Sequence, residues 1–142
     1  MAEETEDLLI AFDGTTGTVL RTVTNRFRVN ALAVSPDGQL VAIAGSDQSV
    51  HLFDAATLEE KSSFRAHDGE ITVLTFHPTR PILATAAMDR SVKLWEHGTA
   101  RLVEQFLGLG GTPVVLAFNP SGSLLLVDGQ ERTTRVFKLD VK

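Results

Sequence analysis

Residues 29–54, 71–96 and 113–138 overlay without a gap, each segment 42 positions beyond the last. The turn "SPDG" (35–38) falls on "HPTR" (77–80) and on "NPSG" (119–122). Each carries Pro at its second position, where the fixed φ of proline is pre-set for a type I turn. Leu32, Leu74 and Leu116 coincide, as do Val34, Phe76 and Phe118. Such self-similarity restricts the fold sharply. Each unit is one supersecondary element that buries its apolar face only against the next copy.

The strands inside one unit predict its shape. The first, "ITVLTF" (71–76) or "VVLAF" (114–118), is apolar at nearly every position, and so is the second, "PILATAA" (81–87) or "SLLLV" (123–127). Runs of that kind mark strands covered on both faces. The third, "SVKLW" (91–95), admits a polar residue, and the fourth, "TLEEKSSF" (57–64), is largely polar. Burial is therefore expected to fall steadily from the first strand to the fourth, as in a radial blade whose outer strand meets solvent. No segment shows helical spacing. A period of ~40–45 residues is that of four-stranded propeller blades, so the expected fold is all-β, built of antiparallel blades.

Upstream, "LLIAFD" (8–13) places Phe12-Asp13 on Phe53-Asp54 and reads as a third strand, with "TVLRTV" (18–23) as a fourth. The last unit stops at "TRVFKLD" (134–140). The expectation is a single partial propeller domain over 1–142: an incomplete blade at 1–24, blades at 25–65 and 66–107, and a second incomplete blade at 108–142.

Composition narrows the function classes. The 142 residues are 43% hydrophobic and 22% charged, which suits a globular chain, and the net charge of -5 argues against nucleic acid as a partner. No cysteine is present, so disulfides and thiolate metal sites are excluded. The start "MAEETEDLLI" is acidic and lacks the apolar core of a secretory signal. No run approaches the ~18 apolar residues of a membrane span. A cytoplasmic protein with no membrane contact is expected.

The stretch "AHDGEITVLTFHPTRPILATAAMDRSVKLWE" (66–96) resembles a repeat of the WD-repeat β-propeller family almost position for position. Ala66-His67 and Trp95-Glu96 stand where that family has Gly-His and Trp-Asp. The likeness runs over nearly the whole chain and is strongest in this middle unit. It implies a structural hydrogen-bond network of His67, Thr85, Asp89 and Trp95, which stiffens the blade if every partner is satisfied. The first unit keeps Asp47 but has Asn25, Ile43 and Phe53 at the other places, and the third has Leu109, Val127, Glu131 and Phe137. Only the middle blade is expected to carry the network.

Family rings hold about 4–8 blades, so slightly more than three do not close one, and the end blades would expose apolar faces. Three resolutions stay open: assembly with copies as a homo-oligomer, completion by another chain, or origin as a fragment of a longer propeller.

No catalytic set stands out. Of the histidines, His67 belongs to the network, His77 holds a turn position, His51 suggests a solvated or rim site, and His97 lies in a loop. None forms a two-histidine motif at metal-site spacing, so no metal and no cofactor are expected. "GLGGT" (108–112) lacks a phosphate-loop pattern and precedes a strand. The chain is expected not to be an enzyme.

In the blade arrangement one rim would gather Arg26, Phe27, Arg28, Asp68, Glu70, Arg90 and Arg132. The resemblance implies that this rim holds a protein or peptide partner; the residues alone read equally as a solvated charged face. Phe27 reads either as an interface anchor or as a plug between blades. The expected function is a non-catalytic interaction scaffold; the alternative is a structural propeller segment, self-assembling or completed by a partner, with no independent ligand site.

Overall fold

The computed structural model describes residues 6–130 and 133–140. Glu131 and Arg132 therefore lie outside the described residues. Thirteen strands among those described form four antiparallel sheets. The first pairs β1 (Asp7–Phe12) with β2 (Val19–Asn25). The second runs through β3 (Val29–Val34), β4 (Leu40–Gly45), β5 (Ser49–Asp54) and β6 (Glu60–Arg65). The third, the middle blade, holds β7 (Ile71–Phe76), β8 (Ile82–Ala87), β9 (Ser91–Glu96) and β10 (Arg101–Phe106). The fourth holds β11 (Pro113–Phe118), β12 (Leu124–Gly129) and β13 (Arg135–Lys138). No helix among the described residues is long and apolar enough to cross a membrane.

The repeat extends to backbone irregularities. The first strand pair of each of the last three sheets bulges at one equivalent place, between Val29 and Ala31, Ile71 and Val73, and Pro113 and Val115. A bulge adds twist and bends the strand it interrupts, so its repetition gives each wedge the same curvature.

Alternation along the strands decides which blade touches which. On β4, Ala42 and Ala44 join a core with Ile71, Leu74, Leu83, Ala87 and Trp95 of the middle blade. The intervening Val41 and Ile43 face the other way, toward Leu9 and Val23 of the β1–β2 sheet and toward Phe27. On β8, Ile82, Ala84 and Ala86 pack instead on Leu116, Leu125 and Val127 of the last sheet. Three apolar layers thus lie between four sheets, and each fully buried Leu or Ile contributes roughly 1.5–3 kcal/mol.

The expected steady fall of burial does not hold. In the middle blade the second strand is buried at every position, while the first is only half-buried at Thr72, Val73 and Thr75. The reason is positional, because β7 is an edge strand of its sheet whereas β8 has a strand on either side. β12 also departs from expectation: Leu125 and Val127 are buried, but Leu126 between them is 36% exposed. Among the described residues, no sheet covers that outer face.

Candidate functional site

His67 enters the middle blade just ahead of β7 and is 1% exposed. Its Nδ1 lies 3.0 Å from Asp89 Oδ2, and its Nε2 lies 2.8 Å from Thr85 Oγ1. Trp95 Nε1–H donates to Thr85 Oγ1 at 3.0 Å. The partners assign the protons. Nδ1–H donates to the carboxylate, and the threonine hydroxyl, which already accepts from the indole, donates to Nε2. That arrangement needs a neutral imidazole. Burial does push the His67 pKa down, against the pull of Asp89. For Asp89 burial opposes ionisation, but bonds from Ser91 and His67 outweigh it and hold the carboxyl below its usual value. The structure thus brings His67, Thr85, Asp89 and Trp95 together.

Asp89 also fastens the surface above it. Its Oδ2 accepts from Asp68 N at 3.2 Å, and its Oδ1 accepts from Ser91 N at 3.1 Å. Met88 N donates to Glu70 O at 2.9 Å, so the loop entering the blade and the β8–β9 turn are laced together. Equivalent bonds run from Ser46 N to Arg28 O and from Gln130 N to Thr112 O. Asn25, at the His67 position of the preceding blade, is buried with an Nδ2 that has no hydrogen-bond partner.

The acid closing the third strand caps the following turn. Asp13 Oδ1 accepts from Thr15 N and Thr16 N, and Asp54 Oδ1 accepts from Ala56 N and Thr57 N. These backbone donors hold both carboxyls below their ordinary values, Thr16 and Thr57 contributing most.

Two histidines are more engaged than their sequence positions suggest. His51, expected at a solvated or rim site, is bonded at both nitrogens: Nε2 to Asp47 Oδ2 at 2.6 Å and Nδ1 to Glu60 Oε1 at 2.7 Å. Burial alone would lower its pKa, but the bonds to Asp47 and Glu60 outweigh it and raise the value. His77 is 2% exposed; its Nδ1 accepts from Thr79 N and Arg80 N, and its Nε2–H donates to Gly122 O at 3.0 Å in the next blade.

The rim residues are not all free. Glu70 Oε1 accepts from Asn30 Nδ2 at 2.6 Å and from Arg28 Nη2 at 2.7 Å, and these donors, Asn30 foremost, lower its pKa. This pair clamps one blade to the next. The Phe27 ring stacks on His51 at 4.8 Å and packs against the core of Val41, Ile43 and Phe53. Its ring is thus spent between blades, the plug of the two readings. Arg26 and Arg90 are exposed, and Asp68 lies 3.4 Å from Arg65. Sequence reasoning passed over Met88, whose side chain is 53% exposed beside Arg90. The signal was available, since an apolar residue there replaces Ser46 and Gln130 of the sister turns. Among the described residues, no group of three His, Cys, Asp or Glu side chains is arranged to hold a metal ion.

A family model described as "WD domain, G-beta repeat" matches residues 17–54 and 58–96, more than half of the chain. The chain belongs to the WD-repeat family. Among curated proteins, this WD-repeat chain is 43% identical over 61 residues to autophagy-related protein 18 of Caenorhabditis elegans, covering 42% of itself and 15% of that relative. It is 43% identical over 49 residues to U3 snoRNP-associated protein-like YAOH of Oryza sativa subsp. japonica, covering 34% of itself and 10% of the relative. It is 37% identical over 62 residues to actin-interacting protein 1-2 of Arabidopsis thaliana, covering 42% and 10%. The WD-repeat chain thus spans a small part of each relative's length. Solved structures of U3-55K and of the RRP9 WD40 repeats superpose with a TM-score of 0.83 at 21% identity, over 93% of this chain and 42% of theirs. That likeness shows the propeller fold.

Proposed function

We propose that this chain is a non-catalytic interaction scaffold that holds a protein or peptide partner on the rim formed by the loops entering each blade and the turns between second and third strands. The observation carrying this reading is an exposed Met88 beside Arg90, with Asp68 on the adjoining loop, all on backbone fixed through Asp89. Methionine and arginine are common at binding surfaces because one adapts its shape and the other combines charge with a flat apolar face. A rigid support lets such side chains bind without first being ordered. Arg26 and Arg28 extend the surface, with Arg28 committed in part to Glu70. The net charge of -5 favours protein over nucleic acid. Two relatives bear names that denote association, one with actin and one with a U3 snoRNP, which supports an interaction role as a class.

The test compares proteins captured from cell extract by wild type and by the double variant Met88→Ser, Arg90→Glu. Selective loss of captured proteins at an unchanged melting temperature is the expected result. An identical set, or retention of RNA in place of protein, would overturn the reading.

A second reading is favoured by the two end sheets. Leu8, Phe12, Val19 and Leu20 are 58%, 57%, 51% and 66% exposed at one end, and Val136 is 57% exposed at the other. Apolar sheet faces of this kind suit further blades, supplied by a second copy, another chain or more of the same polypeptide. Light scattering tests it, with concentration-dependent association expected and a monomer at every concentration contradicting it.

A further inference from the structure

The opposite rim carries a second feature that the interaction reading does not use. Between the β3–β4 turn of one blade and the β7–β8 turn of the next lies a cleft of about 240 Å³. Its walls include Pro36, Phe76 and Pro78, and Asp37, His97 and Arg80 are among its polar residues. Drug-sized ligands occupy about 300–1,000 Å³, so this space suits one long side chain.

The polar groups are held ready. Asp37 Oδ1 accepts from Ser35 Oγ at 2.6 Å and from Gln39 N at 3.0 Å, which fixes the carboxylate at the lip. Ser35 is in turn anchored by Leu40 N, which donates to its Oγ at 2.9 Å. Asp37 Oδ2 accepts from no side chain of the described residues. The Asp37 carboxyl is held below its usual value, by Ser35 foremost, so it stays charged. His97 rests edge-on against Phe76 with ring centroids 5.5 Å apart. Neither of its ring nitrogens has a hydrogen-bond partner among the described residues. Burial lowers its pKa despite Asp37 and Glu96 nearby, so the ring is neutral and offers a lone pair. Arg80 is exposed across the cleft, without an ion pair among the described residues.

We infer that this cleft receives an arginine side chain of a partner peptide. The guanidinium donates to Asp37 Oδ2 and to the free imidazole nitrogen of His97, while its methylenes lie on Phe76 and Pro78. A carboxylate next to that arginine meets Arg80. Charge complementarity selects this occupant. An anion alone would be repelled by Asp37, the net charge of -5 attracts cationic segments, and the planar guanidinium can serve two separated acceptors where an ammonium is a point charge.

The probe is the peptide acetyl-Gly-Arg-Glu-Gly-amide, titrated while the NMR signals of His97, Asp37 and Arg80 are followed. Saturable shifts at all three, with a millimolar Kd, are expected. Asp37→Asn keeps the Oδ1 acceptor that shapes the turn and removes only the charge; it should weaken binding about tenfold or more. His97→Phe keeps the ring contact and loses the lone pair, and should weaken binding similarly. Arg80→Ala, at an exposed position, gives a third reading should either variant lower the melting temperature. Glu104→Gln, an exposed acid on β10 outside both rims, should leave the Kd unchanged. The inference is overturned if no shift occurs at millimolar peptide, if the Lys analogue binds equally, or if Asp37→Asn and Glu104→Gln behave alike. Capture through Met88 is read separately, so either site can fail alone.

Discussion

Asp89 joins three pieces of chain through one carboxylate: the loop bearing His67 and Asp68, the turn it stands in, and Ser91 at the start of β9. Removing it leaves buried donors without acceptors. Asp89→Ala should therefore destabilise the protein by about 1–3 kcal/mol in a denaturant titration. Thr85→Val, which keeps shape but removes the hydroxyl between Trp95 and His67, should cost a similar amount. An unchanged midpoint for either variant would show that the contacts add nothing. The two engaged histidines respond oppositely to pH. His51 has a folded pKa above its unfolded value, so its bridge is fully stabilising below about pH 6.5 and is lost as pH rises through the folded value. His67 has a depressed folded pKa, so as pH falls below about 6.5 the unfolded chain gains a proton that the folded blade refuses, and stability drops. The destabilisation caused by His51→Ala should accordingly be larger at about pH 5.5 than at about pH 8. A melting-temperature difference independent of pH would mean that His51 holds no extra proton.

At the scale of the element, the two central blades are four-strand meanders whose turns touch the neighbouring sheet. One such contact joins His77 to Gly122 O at 3.0 Å. Gly122 has φ +76°, and a Cβ there would lie 2.1 Å from the imidazole. Gly122→Ala should cost about 2 kcal/mol or more, from left-handed backbone strain plus displacement of His77. A variant melting with wild type would show that the turn relaxes freely. The proline turns were legible in the sequence because proline and glycine act locally. The use of His77 as a bridge was not, since its partner, Gly122 O, lies 45 residues ahead and is set by how two sheets stack. The same holds for Arg28 and Glu70. Both were placed on one rim, but their pairing depends on the angle between adjacent wedges.

At the scale of the molecule, three apolar layers hold four sheets together, and the outer faces of the end sheets stay apolar. Val19→Lys with Val136→Lys, both at exposed positions, should reduce association at high concentration while leaving the melting temperature nearly unchanged. Light scattering reads the first and calorimetry the second. Unchanged association would mean that these faces are not the contact. Val23 is unsuited to this test although it lies on the same strand as Val19, because its side chain packs inward with Leu9 and Phe27.

The amino-acid order by itself determined the succession of strands and the pitch of the repeat, which depend on spacing along one polypeptide and on the alternation of a pleated strand. The residues of the His67–Asp89 chain were legible through the resemblance to the WD-repeat family. Only the tertiary structure decided which of the two faces of a strand has a neighbour. Leu125 and Leu126 look alike in sequence, yet one is fully buried and the other 36% exposed. Phe27 likewise became a plug against His51, and Asp37 and His97 came to face one cleft. Alternation says which way a side chain turns, whereas burial and pairing depend on what another sheet brings to that side.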